Sequence, residues 1–255
     1  MKGIVEINCE SSSTPWSELR FPSWIEKVES YKMEIFIYNS LAFRDFLKEH
    51  DHERAEVKFL ESIVEDGMNV IDIGSNIGIT TVAIAKNIGK EGRVFSFEPV
   101  AKYFDILKKN IYTNGLENVE VYEQAVTDQV GKVDFYQKGL SSGIVREKGV
   151  KRRKVSTTAV DRFLSKRKIE GIDVINMDCE GSELLALQGA KETLRKNTVK
   201  IFCDVHPDFL RQLGQSIGDI VEYLKKLAFK VKSVSLDDLR MGNDFENCDY
   251  IYAHR

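Results

Sequence analysis

The sequence lacks the features that mark membrane, secreted and disulfide-bonded proteins. No stretch approaches the ~20 apolar residues that span a bilayer, and the N-terminus has no apolar core of a secretory signal. The four cysteines are widely scattered without a C-x-x-C pair, which argues against a disulfide framework and against a zinc site. These absences predict a soluble, cytoplasmic protein with no membrane span.

A strong charge of one sign and internal repeats are also absent. Lys and Arg number 37 against 40 Asp and Glu, so the net charge of −3 does not indicate a nucleic-acid or membrane partner. The run Lys151–Lys154 (KRRK) is a local exception. With 255 residues, 42% hydrophobic and 30% charged, the composition is that of a globular protein built on one large domain.

From Glu53 onward, apolar strand-like runs alternate with amphipathic segments. The predicted strands are Asn69–Ile73, Arg93–Phe97, Val119–Tyr122, Lys132–Tyr136, Lys154–Thr158, Asp173–Met177, Val199–Val205, Lys230–Val234 and Tyr250–Ala253. The predicted helices are Glu53–Val64, Ile77–Asn87, Ala101–Asn114, Val160–Lys166, Ser182–Arg195 and Ile217–Leu227. Residues 1–52, with a short strand at Met33–Tyr38, are interpreted as an N-terminal extension, and residues 53–255 as the main domain.

Strands that alternate with helices form parallel β-α-β units with right-handed crossovers. The last two strands have no helix between them, so the final strand is expected to run antiparallel to its neighbours. The segments Lys132–Tyr136 and Lys154–Thr158 can pair as a hairpin. The sequence therefore predicts an α/β, Rossmann-like, doubly wound and mostly parallel sheet with an antiparallel last strand and an N-terminal extension.

A glycine turn after the first strand of the domain is the strongest signal of a ligand site. In VIDIGSNIG (Val70–Gly78), residues Gly74, Ser75, Asn76 and Gly78 connect a buried strand to a helix, where doubly wound sheets bind ligands. The dinucleotide fingerprint G-x-G-x-x-G fails, which disfavours an NAD-dependent oxidoreductase. A carboxylate at Asp72 suits a ligand with an ammonium group and a cationic sulfonium.

Two further segments extend this predicted site. Glu98 ends the next strand, at about the interval where such folds place an acid on ribose hydroxyls. Gln124 and Ala125 follow the third strand and could flank an adenine ring. Because these residues follow neighbouring strands, we expect them at one edge of the sheet.

Ionisable residues follow the next two strands in NMDCEGSE and CDVHP. Asp178 and Glu180 come after one strand and His206 after the other, so they should converge. The plainer alternatives are a carboxylate that complements a helix dipole and a histidine held by a backbone carbonyl. A Mg²⁺ ion on Asp178, Glu180 and Asp204 is a weaker hypothesis, because nothing in the spacing fixes octahedral geometry.

These motifs together resemble the FkbM family of S-adenosylmethionine-dependent methyltransferases. The likeness runs from about Glu53 to Val205 and rests on VIDIGSNIG, GRVFSFEP, QAV followed by Asp128, and INMDCEGSELLALQGA. The family hallmark D-x-E-G-x-E corresponds here to Asp178, Glu180, Gly181 and Glu183. The family often has alanine where this chain has Ser75. The resemblance implies a class I methyltransferase fold, S-adenosylmethionine as cofactor, and O-methylation of a sugar or natural-product hydroxyl.

The resemblance and the motifs together give a set of expected roles. The donor-binding residues are expected to be Asp72, Gly74, Ser75, Asn76, Gly78, Glu98, Gln124, Ala125 and Asp178. A hydroxyl acceptor must lose a proton, and the candidate bases are His206 first, then Asp178 or Glu180. Position alone suggests the loop Gly139–Gly143 and the N-terminal extension as substrate walls.

More than one function remains open from the sequence. The run Lys151–Lys154 would suit an RNA methyltransferase, but a charge run without interleaved aromatics is usually a solvated face. Two further hypotheses are an NAD-dependent oxidoreductase, which the missing glycines disfavour, and a protein that binds the donor without catalysis. The expected acceptor is a small-molecule or glycan hydroxyl, and no feature indicates an oligomeric state.

Overall fold

The computed structural model describes residues 25–30, 33–38, 51–137, 142–146, 148–246 and 248–255. The described strands are β1 (Ile25–Ser30), β2 (Met33–Tyr38), β3 (Asn69–Ile73), β4 (Arg93–Phe97), β5 (Val119–Tyr122), β6 (Ala125–Val126), β7 (Gly131–Gln137), β8 (Lys151–Thr158), β9 (Val174–Met177), β10 (Lys200–Asp204), β11 (Lys230–Ser235), β12 (Arg240–Gly242) and β13 (Tyr250–His254). The described helices are α1 (Asp51–Ile63), α2 (Ile79–Asn87), α3 (Ala101–Thr113), α4 (Val160–Arg167), α5 (Glu183–Gly189), α6 (Lys191–Lys196), α7 (Pro207–Gln212) and α8 (Ile217–Lys226).

An eight-stranded sheet with the order β12-β11-β13-β10-β9-β3-β4-β5 forms the centre of the domain. Strands β3, β4, β5, β9 and β10 pair in parallel, whereas β13 pairs antiparallel with β10 and with β11. This arrangement confirms the predicted doubly wound, mostly parallel sheet and its antiparallel last strand. The chain moves outward from β3 through β4 to β5 and then returns to β9 on the other side of β3. Such a switch point opens a crevice at the carboxyl ends of the strands.

The central strands are apolar because helices cover the sheet on both faces. Ile71, Phe95, Ile175 and Ile201 are all fully buried. Each such side chain contributes roughly 1.5–3 kcal/mol on burial. The strand ends are therefore held on a rigid platform. Among the described residues, no helix is both long and apolar enough to cross a lipid bilayer.

The N-terminal strand predicted at Met33–Tyr38 is present as β2 and pairs antiparallel with β1, which the sequence did not indicate. Helix α1 begins at Asp51, two residues before the predicted start. The remainder of the expected extension lies outside the described residues. The boundary between residues 52 and 53 stays a prediction.

A second, three-stranded sheet has the order β6-β8-β7. The antiparallel pairing of β7 with β8 confirms the predicted hairpin, and β6 adds to it in parallel. The basic run lies on β8 opposite Asp134 of β7. The Asp134 carboxylate forms salt bridges with Lys154 at 3.0 Å and with Arg152 at 3.6 Å. Part of the positive charge of the run is therefore already paired.

The single helix predicted over Ser182–Arg195 is wrong, because the chain forms α5 and α6 with a break at Ala190. Gly189 packs against the Thr127 carbonyl, where a Cβ would lie 2.2 Å from the oxygen. Asp161 of α4 then caps the new helix, because its carboxylate accepts the backbone N–H groups of Glu192 and Thr193, both at 2.8 Å. The short elements α7 and β12 were also not predicted.

Replacing Asp161 with alanine should lower the free energy of unfolding by about 1–2 kcal/mol, because two N–H groups at the start of α6 lose their acceptor. Urea denaturation measures this loss. Glu192→Ala is the matched control, since Glu192 lies in the same turn with its side chain half exposed. Equal stabilities for the two variants would contradict the capping role.

Candidate functional site

A cavity opens at the switch point, where β3, β4 and β9 end. Of the residues predicted to bind a donor, the structure places six on its wall: Gly74, Asn76, Glu98, Gln124, Ala125 and Asp178. The wall also includes Ile73, Phe97, Pro99, Val100, Tyr103, Val126, Phe135, Ser142, Cys179, Glu180 and Ser182. The sequence therefore identified the correct edge of the sheet.

The glycine turn after β3 is tied to both neighbouring strands. The backbone N–H groups of Gly74 and Ser75 donate to the Phe97 carbonyl at 2.9 and 3.1 Å. Gly74 has φ +82° and passes so close to β9 that a Cβ would lie 1.6 Å from the Asp178 carbonyl oxygen. Only glycine satisfies both the backbone angle and the approach. The turn consequently presents Asn76 to the cavity.

Glu98 follows β4, and its carboxylate holds the glycine turn and the start of the next segment through hydrogen bonds to the backbone. Its Oε2 accepts the Asn76 N–H at 2.9 Å and its Oε1 accepts the Val100 N–H at 2.6 Å. Burial raises the pKa of Glu98 to about 8, against the two backbone hydrogen bonds that lower it. An ionised carboxylate offers about four acceptor positions, so two remain after these bonds. A ligand diol in the cavity could occupy them.

Asp72, which we expected to contact a ligand, is not among the residues that line the cavity, so its role in donor binding stays a prediction. Its carboxylate is 1% exposed and lies beneath the cavity. Oδ1 accepts a hydrogen bond from Asn176 at 2.8 Å, and Oδ2 accepts from Thr81 and from Thr80. Burial raises the pKa of Asp72, although these donors favour its ionised form. Asp72 joins β3 to β9 and to the start of α2.

Ser75 and Gly78 are also not among the residues that line the cavity, and their contact with a donor stays a prediction. The Ser75 hydroxyl donates to the Asp72 carbonyl at 3.0 Å and accepts from Ser96 at 2.7 Å. Gly78, with φ +92°, lets α3 approach, because a Cβ there would lie 2.4 Å from a Leu107 methyl carbon. Both residues shape the turn.

Two aromatic residues on the cavity wall were missed as site residues. Tyr103 on α3 and Phe135 on β7 pack with Ala125 in one apolar cluster. Burial, with the charge of Glu98, raises the pKa of Tyr103 to about 12, so its hydroxyl stays neutral. The sequence placed Tyr103 only in the predicted helix Ala101–Asn114 and Phe135 only in the predicted strand Lys132–Tyr136. Their proximity depends on the second sheet folding back over α3, which local sequence does not show.

The ionisable residues after β9 and β10 meet as expected. The His206 Nε2 lies 3.4 Å from Glu180 Oε2, 3.6 Å from Asp178 Oδ1 and 3.9 Å from Asp204 Oδ1. Glu180 has φ +49° and Gly181 φ +96°, so a tight turn brings the carboxylates together. Asp178 and Glu180 face the cavity, whereas His206 is not part of its wall.

The surroundings of His206 favour its charged form, which weighs against its predicted role as the general base. Its Nδ1 lies 2.8 Å from Glu183 Oε1, and its Nε2 faces only carboxylates. Burial disfavours the charge, but the hydrogen bond to Glu183 and the neighbouring acids outweigh it and raise the pKa of His206 to about 10. An imidazolium has no lone pair with which to accept a proton.

The weaker metal hypothesis named Asp178, Glu180 and Asp204. The closest set among the described residues is instead Asp178, Asp204 and His206, whose potential ligand atoms lie within 4.8 Å of one another. A histidine must be neutral to bind a metal, whereas the acids around His206 favour its charged form. A Mg²⁺ requirement stays a prediction, which exhaustive chelation would test.

The proposed substrate wall at Gly139–Gly143 is described only at its end, since residues 139–141 lie outside the described residues. Ser142 lines the cavity. Gly143 passes over the tight turn that contains Glu180 and Gly181. A Cβ at Gly143 would lie 2.6 Å from the Glu180 carbonyl oxygen. This segment therefore borders the part of the cavity formed by Asp178 and Glu180, which we call the acidic end.

Comparison with known proteins agrees with this geometry. The family model described as "Methyltransferase FkbM domain" matches residues 72–231. The chain is 27% identical over 146 residues to the 2-O-methyltransferase NoeI of Sinorhizobium fredii, covering 50% of this chain and 59% of that protein. It is 33% identical over 97 residues to a ribosomal protein L11 methyltransferase of Clostridium botulinum, covering 38% of this chain and 30% of that protein.

A solved structure shows the same fold at low sequence identity. It is the methyltransferase FkbM from Methylobacillus flagellatus, with a TM-score of 0.53 and 16% identity, covering 75% of this chain and 44% of that one. The chain thus spans less than two thirds of the length of these relatives. Because the family model covers more than half of the sequence, the chain belongs to the FkbM methyltransferase domain family.

Proposed function

We propose that this protein transfers a methyl group from S-adenosylmethionine to a hydroxyl group of a sugar, lipid or other small molecule. The observation that carries the proposal is that two kinds of carboxylate share one cavity. One is Glu98, at the position where such folds place an acid on ribose hydroxyls, and the others are Asp178 and Glu180 at the acidic end. Glu98, Asp178 and Glu180 all line this cavity. A donor that joins a ribose to a cationic sulfonium and an ammonium group complements both kinds of carboxylate.

The wall of the cavity fits this donor in three ways. Glu98 has free acceptor positions, Tyr103, Ala125 and Phe135 provide an apolar face for a purine, and Asp178 provides negative charge. Within the described part of the chain, the buried Asn76 Oδ1 has no hydrogen-bond partner, so a ligand donor could satisfy it.

The chain's own residues would have two tasks in the reaction. S-adenosylmethionine supplies a methyl group that is already activated on a sulfonium. The cavity walls orient the reactants and exclude water. The Asp178 carboxylate, with its side chain 44% exposed, or that of Glu180 accepts the proton that the hydroxyl loses. The His206 imidazolium balances their charge.

The acidic end also bears on the choice between hydroxyl and RNA acceptors. Asp178, Glu180 and Asp204 would repel a phosphate backbone where the acceptor must approach. On β8, Arg152 and Lys154 already contact Asp134. We therefore favour a neutral hydroxylated acceptor. Tight RNA binding that weakens steeply with salt would reverse this choice.

Donor binding is tested with S-adenosylhomocysteine and Glu98→Gln. We expect saturable heat for the parent protein and a dissociation constant about 10- to 100-fold larger for the variant, because hydrogen bonds to a charged group contribute about 1.5–3 kcal/mol. Glu91→Gln, in the exposed turn before β4, is the control and should bind like the parent. Equal affinity in Glu98→Gln would remove the donor site from this cavity.

The same titration has a predicted pH dependence. A carboxyl whose pKa is about 8 is largely protonated at pH 6, and it must ionise to accept both ribose hydroxyls. Affinity should therefore rise with pH up to about 8 and then level off, with proton release on binding. Glu98→Gln should lose this dependence. Methyl transfer to members of a glycan, lipid and small-molecule panel then identifies the acceptor, and failure with every member would favour binding without catalysis.

A further inference from the structure

Glu183 is a buried acid that the proposed reaction does not use directly. It is the first residue of α5 and is 0% exposed, whereas the other carboxylates of the acidic end are partly exposed. An ionised carboxylate is rarely buried so fully without partners. A position in the first turn favours a negative charge, but that role needs no burial.

The contacts of Glu183 link the turns after β9 and β10. Its Oε1 accepts the Gly181 N–H at 2.9 Å and contacts His206 Nδ1 at 2.8 Å. A carboxylate only accepts hydrogen bonds, so Nδ1 must carry a hydrogen. The other ring nitrogen, Nε2, is therefore fixed toward Glu180, Asp178 and Asp204.

The geometry favours a positive charge on the ring. Carboxylate oxygens surround both nitrogens, and a lone pair on Nε2 would face three of them at 3.4–3.9 Å. A hydrogen on Nε2 converts this repulsion into attraction. Four acids and one imidazolium then share one small volume, and the ring lies closest to Glu183 and Glu180.

We propose that Glu183 is a positioning residue, which orients the His206 ring so that its Nε2 faces the carboxylates at the cavity and favours their ionised form. Glu183 touches neither the cavity nor its contents. It acts through His206 on Asp178 and Glu180. This inference rests on the proposed function, because the ionised carboxylates are the groups that would accept the hydroxyl proton.

The test is ¹⁵N NMR of the histidine side chains, which requires no acceptor. The signal of His206 is assigned by its loss in His206→Asn, since the chain has three other histidines. In the parent protein at pH 7.5, both ring nitrogens should be protonated. In Glu183→Gln, the midpoint of the His206 titration should fall by more than one pH unit. Glu192→Gln, in the first turn of α6, is the control and should leave it unchanged.

Two measurements separate this inference from the proposed function. The dissociation constant of S-adenosylhomocysteine for Glu183→Gln should lie within about threefold of that for the parent. Turnover with an identified acceptor should fall about tenfold or more, and the acidic limb of its pH profile should be displaced. In a His206→Asn background, Glu183→Gln should have little further effect on turnover. If the parent protein does not bind S-adenosylhomocysteine, the proposed methyltransferase function is overturned, and the positioning role of Glu183 is not what has failed.

Three outcomes would overturn the positioning role itself. They are a neutral His206 in the parent protein, an unchanged His206 titration in Glu183→Gln, and fully additive effects of the two substitutions. If Glu183→Gln does not fold, the protonation state of the parent protein still decides the matter.

Discussion

Asp178→Asn should lower turnover by about 10²- to 10⁴-fold, the range over which a positioned proton acceptor contributes to a reaction. Asparagine has nearly the same shape, but its amide cannot take the proton of a hydroxyl. Asp178 faces the cavity, and its carboxylate lies beside the His206 ring at 3.6 Å. Initial rates with the acceptor identified by the panel provide the measurement.

The affinity for S-adenosylhomocysteine distinguishes the two roles predicted for Asp178. If it serves chiefly as base, affinity in Asp178→Asn changes less than tenfold while turnover falls. A parallel loss of both would assign it to donor binding. Asp208→Asn is the control, because Asp208 lies on the neighbouring α7 with its side chain 84% exposed. Unchanged turnover in Asp178→Asn would transfer the base role to Glu180.

The pH profile provides an independent check on Asp178. Burial raises the pKa of Asp178, His206 lowers it, and the charges of Glu183 and Asp72 raise it further. A base works in its ionised form, so turnover should be lost as pH falls through this raised pKa. The acidic limb should therefore lie above the usual range of aspartate, and it should be absent in Asp178→Asn.

The sequence predicted the part of the fold that depends on local pattern. Buried strands such as Asn69–Ile73 are short runs in which apolar residues predominate, and the turn residues follow them directly. Once the strands are known to be parallel, their carboxyl ends must share one edge. This reasoning correctly placed Glu98 and Asp178 in the same cavity.

Side-chain direction and long-range packing could not be predicted in the same way. Asp72 and Glu98 both follow apolar strand residues, but Asp72 points beneath the turn because Thr81 and Asn176 lie there. The break at Ala190 depends on a carbonyl and a carboxylate contributed by distant segments. His206 looked like a free base because the buried acid that holds it lies 23 positions earlier in the chain.

The glycine turn after β3 depends on both local pattern and long-range packing. Its glycines are visible in the sequence, but the need for glycine comes from the packing of the turn against β9. The tight passage of Gly74 beneath the Asp178 carbonyl sets the distance between Asn76 and the acidic end of the cavity. A side chain at this point would have to move β9 or the turn itself. The backbone in this region therefore controls both stability and the alignment of the proposed reaction.

Gly74→Ala should destabilise the protein by about 4–5 kcal/mol or more, which is the exceptional end of single substitutions. Its Cβ would lie 1.6 Å from the Asp178 carbonyl oxygen, and the φ of +82° adds roughly 1–2 kcal/mol for any L side chain. Denaturant unfolding measures the loss. Gly67→Ala measures the backbone-angle part alone, because Gly67 has φ +81° and a Cβ added there would have no atom within 4 Å. That control should lose only the roughly 1–2 kcal/mol of the backbone angle, and equal losses in the two variants would show that the close approach to β9 is not what requires glycine at position 74.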